Sequence, residues 1–193
     1  MPTNTSSTII QPRLVLLDKV HEENNIECSI HTLPKPLLRE FKHIFPEIEG
    51  NDTMQLYAIA TNQKAKHDLV AIGDHIEAEK DRLLNVFLSF AHDFCQKIQK
   101  LGYWADYIDP CSGLPMLTRN CNKVYSEVES MQVLLNYRAY SAGFCKILVH
   151  PKWGSSVYPA TMFVRAKEED VVQLLKSYDV LKLRNETNTE MQI

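Results

Sequence analysis

Residues 73–102 read "GDHIEAEKDRLLNVFLSFAHDFCQKIQKLG". Ile76, Leu83, Leu84, Phe87, Phe90, Ala91, Phe94, Ile98 and Leu101 recur at helical spacing and form a broad apolar face. Asp74 is placed to cap the start, and Glu77, three residues on, to complete a capping box. Gly102 supplies a left-handed stop. A helix this apolar over so many turns needs a large surface to cover. It is read as a central helix packed on a sheet.

The flanking sequence supplies that sheet. Upstream, "NIECSIHTL" alternates Ile26, Cys28 and Ile30 against Glu27, Ser29 and His31, a period of two that predicts a half-buried strand. "PKPLLREFKHIFP" then sets Leu37, Leu38, Phe41, Ile44 and Phe45 on a helical stripe with Pro36 in its first turn and Pro46 at its end. A second strand is expected over Met54 to Thr61, followed over 62–71 by a polar loop or an extension of the hairpin. Downstream, Tyr103 to Ile108 predicts a strand with Trp104, Asp106 and Ile108 on one side and Tyr103, Ala105 and Tyr107 on the other. Asp109-Pro110 starts a turn that Gly113-Leu114-Pro115 completes. A short strand near Val124, a helix from Ser126 to Asn136, a strand pair "CKILVH" and "VYPATMFVRA", and a C-terminal helix follow. The expectation is an α+β sandwich, a largely antiparallel sheet packed by one long helix. It comprises a leader over 1–25, a single domain over 26–183 and a polar tail over 184–193.

The totals exclude several classes of function. The chain of 193 residues carries a formal charge of -3 and a pI near 6.2, which argues against a protein built to grip nucleic acid. No apolar run approaches the ~20 residues a membrane-spanning helix requires. Six glycines are scattered without a phosphate-binding pattern, and zinc-protease, nucleophile-elbow and calcium-loop motifs are absent. Five cysteines at 28, 95, 111, 121 and 145 form no CxxC pair, so a reducing compartment and at least one free thiol are expected.

Two segments concentrate reactive side chains. In "GYWADYIDPCSGLP" (102–115), Asp106 and Asp109 are candidate acid-base carboxylates, but the favoured reading has Asp109 bonding its own turn and Asp106 pairing locally. Cys111 reads as a small turn residue. In "SAGFCKILVHPKWG" (141–154), Cys145 is the stronger thiol, with Lys146 beside it and Arg138, His150, Lys152 and Arg165 near in sequence. Such neighbours favour thiolate, a soft ligand for late transition metals. A core cysteine is the alternative for the same residue. His67, His75 and His92 read as surface or loop histidines.

The runs "GYWADYIDPCSGL" and "GFCKILVHPKWG", with "IECSIHT…LLREFKHIFPE" upstream, resemble the cobalamin-trafficking CblD family, the methylmalonic aciduria and homocystinuria type D proteins. The match covers about Ile26 to Lys176. The resemblance implies a nitroreductase-like α/β sandwich with no flavin site, and a non-enzymatic adaptor. Such an adaptor binds the cobalamin-processing protein CblC and directs cobalamin to methionine synthase or, in longer members, to mitochondrial methylmalonyl-CoA mutase. It implies no tightly bound cofactor, with cobalamin presented by the partner and a family cysteine able to ligate its cobalt. Where the family often reads Gly-Cys-Cys-Lys, this chain reads Gly143-Phe144-Cys145-Lys146, which leaves Cys145 as the candidate cobalt ligand. Trp104, Tyr107, Phe144 and Trp153 are the candidate partner-surface residues. If 193 residues is the natural length, the resemblance favours the cytoplasmic, methionine-directed branch. A homodimer is compatible with the implied fold, and an exposed strand edge equally suits a partner protein. The competing readings are a flavin-dependent nitroreductase-type oxidoreductase and a redox-sensing thiol protein centred on Cys145.

Overall fold

The computed structural model describes residues 15–20, 26–48, 54–119, 121–143 and 145–178. Among these, five strands form one wholly antiparallel sheet: β1 (Val15–Val20), β2 (Ile26–Thr32), β3 (Leu56–Lys64), β4 (Trp104–Tyr107) and β7 (Val157–Arg165), in the order β1-β2-β3-β7-β4. Two more, β5 (Arg138–Ala142) and β6 (Cys145–Val149), make a separate hairpin. The helices are α1 (Lys35–Ile44), α2 (Asp74–Lys100), α3 (Glu127–Leu135) and α4 over 168–178. No described helix is long and apolar enough to cross a membrane.

Strand alternation sends two sets of side chains to opposite sides of the sheet. Ile26, Cys28, Ile30, Tyr57, Ile59, Ala105, Tyr107, Ala160, Met162 and Val164 pack with Phe87, Phe94 and Ile98 of α2 and with Val171 and Leu175 of α4. On the other side, Ala58, Ala60 and Phe163 meet Leu37, Phe41 and Ile44 of α1, Met131 and Leu134 of α3, and Leu148 of the hairpin. The sheet is therefore covered on both faces. Two tyrosines fasten α4: Tyr103 donates to Asp170 (2.6 Å) and Tyr178 to Asp93 (2.7 Å).

The long helix ends as its sequence predicts. The Gly102 N–H bonds Gln99 O (2.9 Å) and the Tyr103 N–H bonds Ile98 O (3.3 Å), closing a Schellman stop with Gly102 at φ +84°. Its start differs. Gly73 holds the cap position and no side chain caps the helix, so the Asp74–Glu77 capping box does not form. Asp74 already lies in the first turn, where its charge still favours the helix dipole.

Other expectations are corrected. "CKILVH" does not pair with "VYPATMFVRA": β6 pairs with β5, and β7 lies between β3 and β4 in the main sheet. The predicted pairing failed because a short turn between two strand-like runs looks the same in sequence whether the strands meet or splay. Val15–Val20, assigned to the leader, forms β1 against β2, its apolar run having been obscured by Ser/Thr-rich sequence before it. No strand forms at Val124, and β3 runs to Lys64, so the first residues of 62–71 extend the strand and only those after them form the loop. Ser126 instead caps α3, and Asn136 ends it at φ +54°. The polar tail, 184–193, lies outside the described residues.

Candidate functional site

The turn after β4 is built by its own acids. Asp109 accepts from the Cys111 N–H (3.0 Å), the Ser112 N–H (3.3 Å) and the Ser112 hydroxyl (2.7 Å). Asp106 is fully buried and accepts from the N–H groups of Tyr107 (2.7 Å), Leu117 (2.9 Å) and Thr118 (2.7 Å). The two carboxylates thus serve different loops and do not converge on a reaction centre. Gly113 is obligatory here: its φ is +71°, and a Cβ would come within 2.5 Å of Val124 and 2.9 Å of Tyr125 O. Cys111 is exposed, with its sulfur 3.9 Å from the Tyr158 hydroxyl.

Cys145 sits elsewhere. It is the first residue of β6 and pairs with Ala142 across the turn at Gly143, whose φ is +62°. The thiol is free and exposed. Alternation puts Cys145, Ile147 and Val149 on one face of the hairpin with their cross-strand partners Ala142, Tyr140 and Arg138. Tyr140 on that face is 49% exposed, so the thiol shares an open surface with an aromatic ring.

Beside it runs a groove of about 500 Å³. One wall is Cys145 to Leu148, the other Ser155, Val157 and Pro159 of the chain entering β7, with Val128 of α3 also lining it. Leu69, Val70, Ala71 and Ile72 form the rim, and Ile72 is 97% exposed. Neither reading of 62–71, a polar loop or an extension of the hairpin, marks this rim. An unpatterned apolar run, Leu69 to Ile72, was the available signal.

Four of the five cations expected around Cys145 are engaged elsewhere, and the fifth, Arg138, is distant along the strand. Lys146 pairs with Glu129, on the opposite face of the strand from the thiol. His150 Nε2 lies 3.1 Å from Glu27 Oε2, Lys152 Nζ lies 3.5 Å from Glu27 Oε1, and Arg165 donates to Ile48 O (2.9 Å). Arg138 pairs with Val149, roughly 13 Å along the strand from Cys145. His150 is buried between Trp153, stacked at 4.0 Å, and Tyr137, edge-on at 5.1 Å. Its Nδ1 accepts from the Lys152 and Trp153 N–H groups, 3.2 Å each, which fixes the turn after β6.

The candidate surface residues are dispersed. Tyr107 is buried beneath α2, its hydroxyl 3.3 Å from His92 Nδ1, so it packs the core and presents no docking surface. Trp104 is half-buried, edge-on to Phe41 (5.6 Å) and Phe45 (5.1 Å). It pairs with Arg165, eight residues along β7 from the groove residue Val157, roughly 26 Å away. Trp153 lies at the base of the hairpin and Cys145 at its tip. Phe144 lies outside the described residues.

A family model described as methylmalonic aciduria and homocystinuria type D protein matches residues 3–176. The chain belongs to this family. It is 29% identical over 174 residues to the cobalamin trafficking protein CblD of Rattus norvegicus, covering 90% of this chain and 58% of that protein. Against the human CblD it is 32% identical over 145 residues, 75% of this chain and 48% of that one. The mouse protein gives 30% over 151 residues, 78% and 50%. The chain thus spans about half the length of the curated relatives it matches.

Proposed function

We propose that this chain is a non-enzymatic adaptor of cobalamin trafficking. It docks onto a CblC-type cobalamin-processing protein and directs the cobalamin held there towards methionine synthase; longer family members serve methylmalonyl-CoA mutase. The observation that carries the reading is the position of Cys145, a free thiol on the open face of a hairpin beside a groove with apolar walls. The thiol loses its proton to solvent, and the sulfur lone pair is offered to the cobalt of the cargo, a soft donor for that metal. Supporting a role by docking, Ile72 and Val70 are exposed at the same groove. Supporting a reducing, cytoplasmic setting, no disulfide joins any of the five cysteines. The nitroreductase-like fold belongs to the same proposal, and a sheet with helices on both faces is compatible with it.

The test is co-elution in size exclusion with a cobalamin-loaded CblC-type protein under reducing conditions. A shared peak containing both chains and the cobalamin absorbance is the expected result. Separate elution at micromolar concentrations would overturn the adaptor reading, as would a purified protein carrying flavin that a nicotinamide cofactor reduces.

A further inference from the structure

The register of the hairpin turns one row of backbone groups away from β5. Ala142 and Cys145 flank a two-residue turn, so the pairs 142/145, 140/147 and 138/149 exchange hydrogen bonds. The N–H and C=O groups of Lys146 and Leu148 therefore point away from β5. On that side His150 and Gly154 exchange backbone bonds of 2.8 and 2.9 Å, turning the chain back. Ser155, Val157 and Pro159 then form the wall opposite Cys145 to Leu148. The outer edge of β6 thus looks into the groove, and among the described residues no strand lies on it.

The two walls are treated differently. β4 covers β7 only from Met162 to Arg165, and the uncovered part is blunted: Pro159 has no N–H, and Glu127 takes the Thr161 N–H (3.1 Å). The β6 edge has neither proline nor bulge. Its one charge, Lys146, is held back by Glu129. Charges lining the groove cancel as well, since Lys80 pairs with Glu77 at 2.8 Å. Apart from Ser155, what remains is apolar, with Val70, Ile72, Val128, Leu148 and Val157 the main surfaces. Electrostatic complementarity then calls for an uncharged occupant, and the free edge calls for an extended one.

We infer that the outer edge of β6 binds an uncharged, apolar, extended segment of the partner protein as an added strand, seated in the groove beside Cys145. The inference rests on the adaptor reading for the identity of that partner. Added-strand binding would place the partner backbone within a few residues of the thiol, coupling docking to the position of the cobalt ligand.

Amide hydrogen exchange resolved by residue tests it, on the full chain with and without cobalamin-loaded CblC-type protein. In the free chain Lys146 and Leu148 exchange fast while Ile147, bonded to β5, is protected; in the complex both gain at least a hundredfold protection. Lys146→Pro removes one outward N–H and no bond to β5, and weakens the complex at least tenfold; Lys146→Ala, which keeps that N–H, binds within threefold of wild type. Undiminished Ile147 protection in the proline variant shows that the hairpin is intact, and the wild-type exchange decides the matter if that variant does not fold. A complex in which Lys146 and Leu148 stay unprotected, or one that tolerates Lys146→Pro as well as Lys146→Ala, overturns the inference and leaves the adaptor reading standing. Protection in the free chain that rises with its concentration would assign the edge to a second copy and also overturns it. If the wild-type chain forms no complex, the adaptor reading itself fails.

Discussion

Burial keeps the Glu127 carboxyl uncharged at neutral pH, its pKa pushed up to about 8 by desolvation against the bonds it accepts from Thr161. Because the folded pKa exceeds the unfolded value near 4.5, the folded chain binds the extra proton between these two pH values. Stability from this group is therefore greatest below about pH 4.5, falls as pH rises to about 8 and is flat beyond. Buried His31 runs the other way, its pKa lowered to about 4, so its stabilising contribution is complete above pH 6.5 and lost on acidification. Between pH 6.5 and 8 only the Glu127 slope remains of the two. Glu127→Gln keeps the shape without the titration, so its denaturant midpoint should stay nearly constant across that window while that of the wild type falls. Parallel curves for the two proteins would contradict the buried neutral acid. Nothing in the sequence around Glu127 distinguished it from the solvated Glu129 two residues on; only the depth of α3 against β7 separates them.

At the scale of elements, α2 and the hairpin make opposite demands. Phe94 is fully buried in the core that α2 shares with the sheet. Phe94→Ala should cost about 3–5 kcal/mol in chemical denaturation, and a loss below about 1 kcal/mol would show that α2 is not the organiser of the core. The hairpin is held both by Leu148 in the core of the other face and by polar contacts at its base. His150 Nδ1 must be unprotonated to accept from Lys152 and Trp153, and burial lowers its pKa despite the Glu27 carboxylate opposite and with Lys152 disfavouring the proton. Its folded pKa lies below the unfolded 6.5, so this anchor is intact above that value and weakens as pH falls. Exchange at the Ile147 amide, corrected for its intrinsic pH dependence, should accelerate between pH 6.5 and 5. A flat profile would mean that His150 does not secure the turn. These elements were unequally legible. The apolar period of α2, its glycine stop and the alternating faces of β4 could be read directly because local pattern dictates them; β2 reads as half-buried, yet Ser29 and His31 are buried as well because the second face of the sheet is also covered. The partner of β6 could not, since strand pairing depends on where "PKWGSS" sends the chain in three dimensions.

The whole molecule separates support from contact. One face of the sheet is sealed by α2 and α4, and the other carries α1, α3 and the hairpin, so Cys145 stands on a small two-stranded unit outside the main sheet. Sequence reading found the thiol but placed basic neighbours around it; the structure directs their hydrogen bonds and ion pairs elsewhere and puts an apolar groove beside it. Cys145 was singled out by its sequence neighbours and the family resemblance, whereas its actual surroundings depended on long-range packing. Such a thiol is suited to be brought to a metal that another protein holds. The direct test is an absorbance titration of cobalamin bound to a CblC-type protein, using wild type and Cys145→Ser. The account predicts a spectral shift that saturates near one equivalent of wild type and is absent with Cys145→Ser, although the variant still co-elutes with the partner. An identical shift with both proteins, or none with the wild type in a formed complex, would contradict it.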